Sequence, residues 1–333
     1  MKKFINKIED ILIESLSGFA VAHHDLVSLH LAPNYLTRKK KANSKVAIIS
    51  GGGSGHEPLH AGYIGFGMLD AACPGHVFSS PTPDQMLAAA EAVHANKGIL
   101  FIVKNYAGDV MNFEMAAEML PFENATVLTS DDCAVVNSTY TTGCRGVAGT
   151  VIVEKCVGSL AETGADLATC KALGDKVNGL TASIGVALTS CTVPAAGRPT
   201  FDIIDTELEM GVGIHGEPGR RREPMREADA IVKDMVDAIL ADLTPKLTAH
   251  KHHEILLLVN GLGATPLMEL YLIYNTAAKL FAATGLTVAR SLVGNYTTAI
   301  DMAGASITAC LLDDEIKQHW DSAVHTPALR WGI

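Results

Sequence analysis

Short aliphatic runs of strand length alternate with stretches of helical period through the first half of the chain. Lys45 to Ser50 (KVAIIS), Gly98 to Lys104 (GILFIVK) and Ala125 to Thr129 (ATVLT) are nearly continuous in apolar residues, which predicts strands buried on both faces. Asp84 to Ala95, introduced by Ser80-Pro81-Thr82-Pro83, and Met111 to Leu120 predict the helices between them. Strand, helix, strand at this spacing predicts crossover units with parallel pairing. Residues 146–177 predict helix with a break at Gly164 and Asp166, and Ser183 to Leu188 predicts a strand. The Gly/Pro-rich CTVPAAGRP and the segment Asp202 to Met210 follow. After residue 220 a second set begins, with helices over Glu227 to Leu243 and Pro266 to Ala283. Its strands are Ile255 to Val259, Thr287 to Val293 and Ser306 to Leu311. The shift in composition near residues 180–200 divides the chain into two α/β domains, 1–185 and 186–333.

Composition narrows this picture. Of 333 residues, 48% are hydrophobic and 19% charged, which excludes disorder. A formal charge of −10 argues against a general nucleic-acid binder, because phosphate neutralisation needs a positive face. The N-terminal MKKFINKIEDILIESL begins with lysines as a signal peptide does, but Glu9, Asp10 and Glu14 interrupt its apolar stretch and predict an amphipathic helix. No run reaches the ~18 apolar residues of a membrane span. The seven cysteines contain no C-x-x-C pair, so they are expected to be reduced thiols of a soluble cytoplasmic protein, with no disulfide framework or zinc ribbon.

Three constellations can carry chemistry. Gly51-Gly52-Gly53-Ser54-Gly55-His56-Glu57-Pro58 follows a predicted buried strand, and its glycines permit close approach by a small polar ligand. Pro58 suits the first turn of a following helix, whose free N–H groups would face that ligand. Neither glycine code fits: the dinucleotide pattern meets His56 at its sixth position, and the phosphate loop lacks its lysine. His56-Glu57-Pro58-Leu59-His60 matches H-E-x-x-H, but Pro58 cannot lie inside the helix that a zinc site requires, so no metal is expected. The second constellation, Lys104-Asn105-Tyr106-Ala107-Gly108-Asp109, ends a strand, where α/β sheets gather ligands. Lys104 can hold a ligand oxygen, and Asp109 is either a helix cap or a general base. The third places His215 among the glycines of GVGIHGEPG, with small neighbours that leave its imidazole accessible. His250, His252 and His253 sit in a polar connector and are assigned no function.

Together these residues resemble one family, the substrate-binding K subunits of dihydroxyacetone kinase. The resemblance is carried by VAIISGGGSGHEPLHAGYIGFGML, ACPG with FSSPTPDQ, IVKNYAGDVMNFE, TGCRGVAGT, CTVPAAGRP, MGVGIHGEPG, NGLGATPLMELY and VHTPALRWGI, spread from one end of the chain to the other. It implies two α/β domains with the site between them, a tail (322–333) that packs back on the first, and a homodimer. It implies that His215 binds the ketone dihydroxyacetone covalently as a hemiaminal. Gly53, Ser54, Gly55 and His56 then correspond to the substrate loop, with His56 in the acid/base role, and Lys104 and Asp109 complete the site. Cys144 stands before Arg145 where the family commonly has a basic residue, a change expected to leave the chemistry unaffected. Covalent capture would let a small site reject glycerol, which has similar hydroxyls and no carbonyl.

The family's fused kinases continue into a helical nucleotide-binding domain, whereas the resemblance here runs to Ile333, and neither G-x-x-x-x-G-K-[ST] nor the H-R-D and D-F-G pair occurs. The resemblance therefore implies that this chain binds no cofactor. A separate subunit would carry the Mg²⁺-bound nucleotide, recharged by a phosphoprotein of the phosphoenolpyruvate-dependent phosphotransferase system. The family also includes a dihydroxyacetone-sensing coactivator that controls a transcription regulator, which is the alternative function.

Overall fold

A computed structural model describes residues 2–135, 137–139, 141–247 and 253–333. The first helix, α1 (Ile11–Ala22), begins later than the lysine-led N-terminus suggests. Residues 2–10 form turns, and the helix starts where Leu12 and Leu16 find a core to face. There follow β1 (Val27–His30), β2 (Tyr35–Arg38), β3 (Ala47–Ser54), β4 (Ala71–Val77), α2 (Pro83–Val93), β5 (Ile99–Lys104), α3 (Ala107–Met119) and β6 (Asn124–Thr129). They build a sheet of order β1-β2-β4-β3-β5-β6. The segment from β4 to β6 is parallel, as the crossover spacing requires. β1, β2 and β4 were not legible from pattern: the first two are four residues long, and β4 contains Pro74 and Gly75.

Next come α4 (Gly149–Glu162), α5 (Leu167–Gly179), β7 (Thr181–Ala187), β8 (Glu207–Met210), β9 (Arg221–Pro224), α6 (Ala228–Leu247), β10 (Glu254–Gly261), α7 (Leu267–Ala283), β11 (Thr287–Gly294), β12 (Gly304–Leu312) and α8 (Asp314–Asp321). The second sheet has the order β11-β10-β12-β7-β8-β9, and only its β10–β11 pair is parallel. The fold is therefore α/β with two six-stranded sheets, and the tail adds a two-stranded antiparallel ribbon, Val324–His325 with Arg330–Trp331.

α4 joins the two sheets. Every residue from Gly149 to Ala161 is buried, and the helix touches β3, β5 and β6 of one sheet and β7 and β12 of the other. A helix buried all round carries its polar residues inside, here Glu154 and Lys155. Lys155 donates to the carbonyl of His319 at 2.6 Å and lies over the ring of Trp331. The tail returns to the first sheet's side, where the Ala328 amide donates to the Gly62 carbonyl at 2.9 Å and His325 pairs with Phe66. Of the seven thiols, five are buried and two half-buried. Among the described residues no helix is long and apolar enough to cross a membrane. His250 and His252 lie outside the described residues, and His253 is exposed.

Candidate active site

The glycine run lies within β3 itself, inside a central strand, with Gly51, Gly52 and Gly53 paired to Cys73, Pro74 and Gly75 of β4. A Cβ at position 52 would stand 2.2 Å from the Nζ of Lys104, which reaches the strand from β5, so a side chain there would displace that ammonium. The helix expected after Pro58 is absent. Residues 57–60 turn, and a single 3₁₀ turn, Ala61–Tyr63, follows, so the helix N-terminus at the site is that of α3, with Tyr106, Gly108 and Asp109, and not one after Pro58. The tail passes close by: the Ala328 amide donates to the Gly62 carbonyl at 2.9 Å, and a Cβ on Gly65 would stand 2.2 Å from the His325 carbonyl oxygen. His56 and His60 consequently point to different partners, which is not the geometry of a zinc pair.

His215 sits in the loop after β8. Its amide donates to Glu217 Oε2 at 2.9 Å, and its Nδ1 is 3.1 Å from Glu217 Oε1. Gly213 leaves room for that carboxylate, since a Cβ there would fall 2.0 Å from Oε2. Burial alone would raise the Glu217 carboxyl, but the charge and hydrogen bond of His215, together with Arg145, hold it at about 2. It is a carboxylate, so Nδ1 of His215 donates to it. Nδ1 of His56 also donates, because its partner at 2.7 Å is the carbonyl oxygen of Thr298. The two Nε2 atoms face each other at 3.0 Å, a hydrogen bond that requires one proton between them. Burial foremost, then the charges of His215 and Lys104, push His56 well below the ordinary histidine range. It accepts that proton weakly and returns it readily.

A cavity of about 330 Å³ opens beside this pair, lined among others by Gly53, Ser80, Tyr106, Asp109 and His215. Phe78 and Tyr106 meet the His215 ring edge-on at 5.0 and 4.6 Å, and Phe78 stacks on His56. Asp109 lies in the first turn of α3, buried, with Oδ2 3.3 Å from Lys104 Nζ and Oδ1 without a partner. Its carboxylate accepts from a side chain rather than from a helix N–H. Ser54 instead donates to the Gly75 carbonyl at 2.7 Å, and Ser54 and Gly55 line a larger apolar cavity of about 550 Å³ under α1. The structure thus gathers Gly53, His56, Lys104, Asp109 and His215, while Ser54 and Gly55 lie just behind them. Glu217 was legible only as part of its motif, although a carboxylate two residues after a loop histidine is a signal for an oriented imidazole. Tyr106 lay inside the second constellation with no role assigned to it, and Phe78 and the Thr298 carbonyl gave no signal, because apolar and backbone groups carry no chemical signature in sequence.

The Dak1 domain family matches residues 17–328. The chain is 48% identical, over 356 aligned positions and 100% of both chains, to the Escherichia coli "PEP-dependent dihydroxyacetone kinase, dihydroxyacetone-binding subunit DhaK". Among solved structures it is similar to the "dihydroxyacetone kinase operon co-activator Dha-DhaQ", with a TM-score of 0.89, 32% identity and coverage of 97% and 98% of the two chains. It is also similar to the C. freundii dihydroxyacetone kinase in complex with AMP-PNP and Mg²⁺, with a TM-score of 0.88, 33% identity and coverage of 98% of this chain and 60% of that one. The chain belongs to the Dak1 family, as a phosphotransferase K subunit of the dihydroxyacetone kinase type.

Proposed function

We propose that this chain binds dihydroxyacetone as a hemiaminal on His215 and presents its terminal hydroxyl for phosphorylation to dihydroxyacetone phosphate by a partner subunit. The observation that carries the reading is the commitment of His215 Nδ1 to Glu217, which leaves Nε2 as the nitrogen able to add to a carbonyl. In this step His56 holds the shared proton while the Nε2 lone pair forms the C–N bond. The carbonyl π pair moves to oxygen, which takes the proton from His56. The positive charge ends on the His215 ring against the Glu217 carboxylate, so charge is conserved throughout.

For transfer, the terminal hydroxyl oxygen attacks phosphorus, the bond from phosphorus to the donor's leaving oxygen breaks, and the hydroxyl proton passes to Asp109. Oδ1 of Asp109, buried and unpartnered at the cavity wall, suits that role. None of the described cavity-lining residues is Lys or Arg, whereas a triphosphate needs cationic clamping. That supports a Mg²⁺-nucleotide carried by a separate subunit, recharged by a phosphoprotein of the phosphotransferase system. The reading places the chain in the cytoplasm as a homodimer of two-domain subunits. The site lies between domains 1–185 and 186–333, with β7 carrying the chain from one to the other. Walls contributed by both halves, Gly53, Phe78, Tyr106 and Asp109 from one and Val193, Thr200 and His215 from the other, support this arrangement.

Intact mass after incubation with dihydroxyacetone tests the first step. Addition without loss of water, abolished by His215→Ala and not trapped by borohydride, is the expected result. Trapping on a lysine would mean that a Schiff base forms instead. The likeness to a co-activator supports a second reading, a ligand sensor acting on a transcription regulator. Adduct formation with no phosphate transfer, even with every kinase partner present, is the outcome that selects it.

A further inference from the structure

Lys104 is 1% exposed, yet its Nζ has two hydrogen-bond partners among the described residues, Asp109 Oδ2 and His60 Nε2, the latter at 3.2 Å. An ammonium has only donors, so His60 can partner it only through a bare Nε2, with its proton on Nδ1. At Nδ1 lie Glu154 Oε1, 2.6 Å away, and Ser50 Oγ, 2.9 Å away. Ser50 gives its own proton to the Ile102 carbonyl at 2.7 Å, so it receives at His60. With Glu154 ionised, its carboxylate and the Ser50 oxygen therefore hold the imidazole in the one tautomer that Lys104 can use.

We infer that Glu154 and His60 are positioning residues that hold the Lys104 ammonium against Asp109 under the substrate cavity. This rests on the reading of Asp109 as the base for phosphoryl transfer. Glu154, His60 and Lys104 lie outside the cavity wall and reach it through Asp109. Reversing the imidazole tautomer would turn an N–H toward the ammonium, displacing it and releasing Oδ2 of Asp109. Protonation of Glu154 does this, because a carboxylic acid donates to Nδ1 and moves the ring's proton to Nε2.

The groups facing this chain are Asp109 from α3, His56 and His60 from the turn after β3, Lys104 from β5, Glu154 from α4, and Tyr63, which itself faces Tyr296. Burial foremost raises the Glu154 carboxyl to about 8, opposed by the charge of Lys104, while burial and Lys104 hold His60 well below its usual range. Glu154 thus changes charge within the working range of pH, and His60 stays neutral.

The test compares wild type, Glu154→Gln and His60→Gln for His215 adduct by intact mass, and for kcat, KM and pH profile in the reconstituted kinase. Wild-type kcat should rise with pH along a limb set by Glu154. Glu154→Gln should lower kcat on the order of ten- to a hundredfold, lose that limb and keep wild-type adduct formation. His60→Gln keeps an acceptor for Lys104 but breaks the link to Glu154, so it too should lose the limb. A wild type without the limb, variants that retain it, or variants whose adduct and kcat fall together with melting temperature would overturn the inference. A wild type that forms no adduct or product would instead sink the underlying reading of function.

Discussion

Nδ1 of His56 lies 2.7 Å from the carbonyl oxygen of Thr298, a residue 242 positions further along the chain. This bond ties the end of the glycine strand to the second sheet's side of the molecule. It fixes the imidazole with its free nitrogen toward His215, so the protein frame sets the tautomer on which the proposed proton exchange depends.

Asp109→Asn keeps a side chain of the same shape and removes the base. Turnover in the reconstituted kinase should fall roughly 10²–10⁴-fold, while the His215 adduct persists by intact mass. Wild-type turnover in a chemistry-limited assay would reduce Asp109 to a structural residue.

Glu217→Gln should weaken the adduct more than it weakens the fold, because the charge that faces the alkylated ring is lost. A hydrogen bond to a charged group contributes about 1.5–3 kcal/mol, so the dihydroxyacetone concentration for half-saturation should rise roughly ten- to a hundredfold. Titration of adduct by mass checks this.

The same carboxylate sets an acid dependence of stability. Its folded value, about 2, lies below its ordinary 4.5, so its contribution is complete above the unfolded value and disappears as pH falls toward 2. The amount is on the order of 3 kcal/mol. Between about pH 6 and pH 3, wild type should lose more melting temperature than Glu217→Gln. Parallel curves would contradict the assignment.

Gly52→Ala places a methyl where the Lys104 ammonium stands. Lys104 must move off Asp109, and the expected outcome is lost turnover with a destabilisation of about 1–3 kcal/mol, read by denaturant melts. Unchanged kcat would show that the Lys104–Asp109 contact is dispensable.

With ATP and Mg²⁺ alone, the purified chain should make no dihydroxyacetone phosphate, and adding the nucleotide subunit with its phosphodonor should start turnover. Robust turnover by the chain alone would refute the division of labour between subunits.

The sequence by itself determined the parallel strands β3, β5 and β6; continuous apolar runs place β3 and β5 inside a covered sheet, whereas β6, expected buried on both faces, is an edge strand with Leu128 exposed. It also marked His56, Lys104, Asp109 and His215 as candidates, because they stand among glycines or at a strand end, although Asp109 read equally well as a helix cap. It failed where the pattern is short or local rules are overridden: β1 and β2 are four residues each, and the glycine run reads as a loop though it is a strand. Only the tertiary structure decided which nitrogen of His215 is free, that His60 belongs beneath Lys104 rather than with His56, and that Glu154 completes that chain. The last two depend on contacts between residues 44 and 94 positions apart, and the first on the fold of the loop that turns Glu217 back onto His215. The packing of both sheets on α4, a helix buried on every face, brings those residues together, and sequence periodicity records that a face is buried but not what it meets.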